Sequence, residues 1–242
     1  MPAIVFDVDD TLYDLAEPYR KAVLAFFGDD TGLPLDELFK RSRIHSDEAF
    51  ALVEAGKRPI SYMHAYRVQA TFEEYGIEVS EKDALAFQAV YSQMQGEISL
   101  SAPLREMLQT CVDSGWGVGV ITNGESRHQW RKLEALGIPD IIDRKSIVVS
   151  GDVGCSKPDV GVFRVSENLL GTVPLDCWFV GDTYENDVVG SLDAGWKCIW
   201  FDRRGRGVSA GERIPDIIVR SEQELVSTVR GLIESGAQCS DR

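Results

Sequence analysis

Five short apolar runs, none of them alternating in polarity, constrain this chain more than any other feature. They are Ala3 to Phe6, Val118 to Ile121, Ile147 to Val149, Cys177 to Val180 and Cys198 to Phe201. A strand that alternates buries one face, whereas a strand that is apolar throughout buries both, as in a parallel sheet covered by helices. Helix-like segments separate successive runs. The pattern therefore predicts an α/β fold with a doubly wound parallel sheet, its strands drawn from both ends of the chain.

The long interval after the first run reads differently. From about Asp14 to about Ser99 no strong strand candidate occurs, and apolar residues recur at helical spacing. The stripes are Leu35, Leu38 and Phe39; Ala49, Phe50, Leu52 and Val53; Tyr62, Tyr66 and Phe72; and Ala84, Leu85, Phe87 and Val90. Gly56 to Pro59 and Gly76 to Ser80 mark turns, and Ser101-Ala102-Pro103 supplies a cap and a first-turn proline where the sheet domain resumes. The expected organisation is a core of residues 1–13 and 100–235, an inserted α-helical domain over 14–99, and a frayed polar tail over 236–242.

Charge narrows the partners. The chain carries 39 Asp and Glu against 25 Lys and Arg, a net −14, with no basic run. A phosphate backbone or an anionic membrane would repel such a surface, so neither a nucleic-acid polymer nor a membrane is an expected partner. The apolar stretch before Asp7 spans only Ala3 to Phe6, too short for a leader or a membrane span. Five cysteines, an odd number with no CxxC pair, read as reduced thiols and point to a cytoplasmic protein. Nothing separates a monomer from a homodimer.

In an open parallel sheet, ligands bind beyond the carboxyl ends of the strands, where helix N-termini and loop amides converge. The first run passes straight into Asp7-Val8-Asp9-Asp10-Thr11, and period-two alternation puts Asp7 and Asp9 on one side. The second ends in Thr122-Asn123-Gly124, a neutral anion cradle at the start of a helix. Ser156-Lys157-Pro158 places one ammonium where proline would open the next helix. The fourth ends in Gly181-Asp182-Thr183, with Glu185, Asn186 and Asp187 behind. Like charges about 4 Å apart repel by roughly 4 kcal/mol at an effective dielectric near 20, so Asp7, Asp9, Asp182 and Asp187 need a cation. Oxygen-only ligation without a His or Cys cluster favours Mg²⁺, which commonly bridges carboxylates to a substrate phosphate.

These residues resemble the motifs of the haloacid dehalogenase-like hydrolase superfamily, in its branch with a helical cap inserted after the first motif (C1, subfamily I). Asp7-Val8-Asp9-Asp10-Thr11-Leu12 is similar to the first motif, Val120-Ile121-Thr122-Asn123-Gly124 to the second, Lys157-Pro158-Asp159 to the third, and Gly181-Asp182 through Asp187 to the fourth. The resemblance implies a Rossmann-like core with a mobile helical cap, hinged near Asp14 to Pro18 and Glu97 to Ala102. It also implies a phosphatase, nucleotidase-like in form, acting on a small phosphorylated metabolite through an aspartyl phosphate. Asp7 would be the nucleophile and Asp9 the proton shuttle, favoured by a second carboxylate beside it. Thr122 and Lys157 would hold the phosphoryl oxygens, with the Asn123 amide assisting. Mg²⁺ would sit on Asp7, the Asp9 main-chain carbonyl and Asp182, with Asp187 orienting water or Lys157.

Rival chemistries are weighed on the same residues. Haloacid dehalogenases need neither the second aspartate nor the acidic metal cluster, so Asp9, Asp182 and Asp187 disfavour a carbon–halogen substrate. A β-phosphoglucomutase-like phosphomutase shares every core motif, and an idle homologue could bind a partner instead. Asp10 reads as a turn-supporting neighbour, and Glu185 and Asn186 as helix caps. Arg41, Arg43, His45, His64 and Arg67 sit in the insert, where they could greet an anion, although exposed helical charges are usually only solvated. Cys155, without a neighbouring base, receives no nucleophilic role.

Overall fold

The computed structural model of the chain describes residues 1–28 and 32–240. Two compact units emerge: Leu15–Ile98, and Met1–Asp14 together with the chain from Ser99 on. The first is helical, with α1 (Ala16–Phe27), α2 (Leu35–Glu54), α3 (Ile60–Glu73) and α4 (Glu81–Met94). Ser80 starts α4 by accepting from the Asp83 amide, as a serine cap should. The unit's core is aromatic. Tyr19 meets Phe87 and Tyr91 edge-on, with centroids 5.6 and 5.5 Å apart, and Phe39 and Phe72 complete the cluster.

Leu52, Val53, Tyr62 and Tyr66 of the sequence stripes are only half-buried and outside this cluster, and two stripe residues are exposed. Phe50 is 49% and Leu85 37% exposed. The buried face of α2 instead turns polar past Phe39, through Ser42, His45 and Ser46 to Ala49, so an apolar stripe misplaces it.

The second unit holds a six-stranded parallel sheet ordered β3-β2-β1-β4-β5-β6. Its strands are β1 (Ala3–Phe6), β2 (Gly117–Thr122), β3 (Ile147–Val149), β4 (Cys177–Gly181), β5 (Lys197–Phe201) and β6 (Ile217–Val219). This is the doubly wound order, with central β1 paired to both β2 and β4. All four residues of β1 are fully buried, which is why the run does not alternate. Ala3 and Val5 pack on one face with Phe163 and Phe179. The sixth strand has no counterpart among the five apolar runs: it is three residues long and half-exposed at Ile217 and Ile218.

Helices α5 (Ala102–Asp113), α6 (Ser126–Ala135), α7 (Ser150–Val153), α8 (Val160–Leu170), α9 (Gly190–Asp193) and α10 (Glu222–Ser240) accompany the strands. Ser101 caps α5 through the Leu104 amide. Pro158 does not open α8 as expected, because Asp159 is the cap and the helix begins at Val160. The segment read as a tail from Gly236 continues α10 as far as Ser240, and positions 241–242 lie outside the described residues. Among the described residues no helix is long and apolar enough to cross a membrane. Cys111, Cys155, Cys177 and Cys198 are free thiols.

Candidate active site

Asp7 follows the last residue of β1, and its amide donates to the Val180 carbonyl at 2.8 Å, which continues the β1–β4 ladder one step past the strand. Asp182 follows β4 in the same way. The ladder therefore delivers both acids to one edge of the sheet. Asp187 joins them from a π-helical turn, Tyr184–Val189, a wide turn of the kind found at functional sites. Its Oδ2 accepts from the Thr183 amide at 2.9 Å. Asp7, Asp182 and Asp187 each offer a carboxylate oxygen within 4.8 Å of the others.

Lys157 enters between them. Its Nζ lies 2.6 Å from Asp7 Oδ1 and 2.7 Å from Asp187 Oδ1, and the residue is only 4% exposed. Burial alone would depress this ammonium, but Asp187 and Asp7 outweigh it and hold the pKa above the ordinary lysine value. Burial pushes Asp7 up to about 7; Lys157 opposes the rise, and Asp187 and Asp9 add to it. Asp182 is also raised well above the usual carboxyl range, by burial and then by Asp7 and Asp187. Three carboxylates and one ammonium leave two negative charges, the complement of one divalent ion. The donors are hard oxygens only. A small hard cation fits this group.

Gly181 is required by the packing. A Cβ there would collide with the Asp187 carboxylate, so any side chain would displace the acid.

Asp9 departs from the sequence expectation. Its carboxylate belongs outside the acidic group, with Lys132 Nζ 2.8 and 2.7 Å from its two oxygens. The Tyr13 hydroxyl donates to it at 2.5 Å and Gln129 Nε2 at 3.5 Å. Burial works to raise Asp9, yet Lys132, Tyr13 and Gln129 together hold it below the usual carboxylate value. The expectation of a carboxyl favoured by a second carboxylate is thus corrected: a cation is its main partner. Lys132, 6% exposed, was not singled out by the sequence. It lies three residues past Gln129 on α6, one helical turn on the same face, and nothing in the sequence marks it, because its partner Asp9 is 123 residues away.

The Thr122 hydroxyl, buried at the end of β2, donates to Gln129 Oε1 at 3.2 Å. Asn123 does not extend its side-chain amide as a free donor. Nδ2 donates to the Lys157 carbonyl at 2.8 Å, and Oδ1 accepts from the Lys157 amide at 2.9 Å, so the side chain clamps the Lys157 backbone. Asp10 adopts φ 62, in the left-handed region that Asp tolerates. Arg204 holds its carboxylate through Nε at 2.7 Å, and Arg203 Nε donates to its carbonyl at 3.0 Å. Both arginines escaped the sequence reading. Glu185 and Asn186 are not helix caps, since they lie inside the π turn.

Acid oxygens and a buried lysine thus gather at the carboxyl edge of a doubly wound sheet, where enzymes of this fold class bind their ligands. The haloacid dehalogenase-like hydrolase family matches residues 1–195, and the chain belongs to that family. The glyceraldehyde 3-phosphate phosphatase of Methanothermobacter thermautotrophicus is 30% identical over 207 residues, covering 82% of this chain and 84% of the relative. Human N-acylneuraminate-9-phosphatase is 26% identical over 245 residues, covering 95% and 94%. A magnesium-bound HAD hydrolase of Bacillus subtilis superposes with a TM-score of 0.67 at 23% identity, covering 94% of this chain and 98% of its own. That last likeness speaks for the fold.

Proposed function

We propose that the chain is a phosphatase that hydrolyses small phosphorylated metabolites, with Asp7 as the nucleophile. One observation carries the reading: a buried lysine bridges Asp7 and Asp187 inside an oxygen-only acidic group at the carboxyl ends of β1 and β4. The curated relatives support it, being phosphatases of glyceraldehyde 3-phosphate and of N-acylneuraminate 9-phosphate.

In the proposed first half, an Asp7 oxygen attacks phosphorus in line and the bond to the leaving oxygen breaks, giving an aspartyl phosphate. Lys157 and Thr122 face the phosphoryl oxygens, and Lys157 opposes their growing charge. Asn123 keeps Lys157 in place by gripping both polar groups of its peptide backbone. Once substrate has drawn it off Lys132, Asp9 takes up a proton from solvent and passes it to the leaving alcohol, and in the second half, again a carboxylate, it takes a proton from the attacking water and returns it to solvent as the cycle closes. As a carboxylate paired with Lys132, Asp9 is already in the form the second half needs. Asp7, Asp182 and the Asp9 carbonyl would hold Mg²⁺, with Asp187 beside them. The ion would supply Lewis-acid neutralisation of the phosphoryl charge.

Release of inorganic phosphate from a panel of sugar, sialyl and nucleoside monophosphates tests the reading. Asp7→Asn should lower turnover by about 10³-fold or more while circular dichroism stays unchanged. Substantial turnover in a folded Asp7→Asn protein would remove the nucleophile from Asp7.

A further inference from the structure

The helical unit contains a half-buried cation that lacks the counter-charges Lys157 has. Arg67 projects from α3 into the polar strip of α2 and α4. Its guanidinium donates to the Gln88 side-chain oxygen and reaches Ser46 Oγ at 3.5 Å. It also lies over the Tyr91 ring, 5.4 Å from the centroid. Ser46 and Gln88 are buried, and Arg67 itself is half-buried. Tyr19, whose ring meets the same Tyr91 edge-on at 5.5 Å, carries a buried hydroxyl beside Ser42.

No carboxylate among the described residues pairs with Arg67. Of its other neighbours, Arg43 is like-charged and already lies 4.0 Å from Asp47, and His64 is held below the ordinary imidazole value by burial and then by Arg67 itself. A ring face and two neutral oxygens compensate a guanidinium only weakly against the cost of withdrawing it from water. Such a residue in a chain of net charge −14 had many acids to draw on and is paired with none. Elsewhere in the same unit Arg20 pairs with Asp36 and Arg41 with Glu74, while Arg58 lies over the Tyr62 ring.

We propose that Arg67, with Ser46 and the Tyr19 hydroxyl, forms a binding site in the helical unit for the carboxylate of a small organic anion. The planar five-donor fork of arginine matches a carboxylate in two parallel hydrogen bonds, and two donors already committed to Ser46 and Gln88 leave the rest for such a ligand. A single cation balances one negative charge. A phosphate dianion would ask for a second cation, and Arg43 is engaged with Asp47. The buried hydroxyl of Tyr19 gains an acceptor when the carboxylate arrives.

Nitrogen-detected NMR of the intact chain tests this with acetate as the probe. The Arg67 Nε–H signal is assigned as the one lost in Arg67→Lys. Acetate should move it along a saturable curve that sodium chloride of equal ionic strength does not reproduce. Acetate should also raise the thermal midpoint of the wild-type chain by about 2 °C at saturation, and this rise should vanish in Arg67→Met. Without acetate, Arg67→Met should be as stable as wild type or more so, because a poorly compensated cation has been replaced by an apolar chain of similar length. Three outcomes would overturn the proposal: a linear shift matched by chloride, tighter binding of inorganic phosphate than of acetate as read at the Arg67 Nε–H signal itself, or an Arg67→Met protein destabilised equally with and without the anion. The NMR readout on wild-type protein decides the matter even if Arg67→Met fails to fold.

Discussion

Lys157, buried, and Arg67, half-buried, are two cations of one chain, and they are treated in opposite ways. Lys157 is bracketed by Asp7 and Asp187 at ion-pair distance. Arg67 has an amide oxygen, a hydroxyl and a ring. A charge with its counter-charges built in is part of a permanent device, and it costs little as long as all members remain. A charge without them is either a standing penalty or a receptor. The contrast separates the two units by what each fixes in advance: the sheet domain fixes its electrostatics, while the helical unit leaves one charge for a visitor to balance.

Removing each cation sharpens that contrast. Lys157→Met strands Asp7, Asp182 and Asp187 together. It should abolish phosphate release, by about 10³-fold or more, and destabilise the native state by about 3 to 5 kcal/mol, the usual cost of breaking a buried pair. Urea unfolding at neutral pH reads the second effect. If Lys157→Met and Arg67→Met shifted stability equally, the distinction between a paired and an unpaired cation would fail.

Lys132 lies between these extremes, paired but with one carboxylate. Lys132→Met frees Asp9 from the charge that holds its pKa down, so its titration should move toward higher pH. The alkaline limb of the kcat/KM profile, set by loss of the proton that Asp9 must give in the first half, should then move to higher pH, and kcat should fall by about 10²-fold, the scale of lost acid–base positioning. A structural role for Lys132 alone would lower stability and leave the limb where it was.

Gly181→Ala probes the same electrostatics without touching a charge. Its new Cβ collides with the Asp187 carboxylate, and the acid must turn away from Lys157. Turnover should fall by about 10-fold, with KM for phosphate esters changed less than kcat. An unchanged kcat in Gly181→Ala would mean that the position of Asp187 is not critical.

The two units also differ in how far their sequences could be read. The parallel sheet was legible because strands buried on both faces write themselves as unbroken apolar runs, and Asp7, Asp182 and Lys157 were legible because each sits directly at a strand or loop end. β6 was not, since a half-exposed edge strand of three residues leaves no run. Lys132, Arg203 and Arg204 were not, because their roles depend on partners more than a hundred residues away in sequence. Within the helical unit the apolar stripes gave the helices but misplaced Phe50, because the buried face of α2 is polar where it meets Arg67, and Leu85, which lies off the Ala84–Phe87 face of α4. A stripe rule assumes an apolar interior, and a binding site is where an interior stops being apolar.

The smallest effect is a thermal one, and it tests the acidic group against protons. Asp7 has a native pKa of about 7, above its ordinary value, and Asp182 is raised as well. A raised carboxyl contributes stability that is fully present below about pH 4, the unfolded range, and is lost as pH rises through about 7. Mg²⁺ binds the ionised group and so should restore what ionisation removes. Its effect on the thermal midpoint should therefore be near zero at about pH 4, grow through about pH 7 and level off above it. His64 and His128 titrate in the same window with the opposite sign, since burial holds both below the ordinary imidazole value and their neutral forms are favoured in the native state. Comparing midpoints with and without Mg²⁺ at each pH cancels them. A gain of a few degrees that did not vary with pH would place the ion away from Asp7 and Asp182, and the match between two residual negative charges and one divalent cation would lose its meaning.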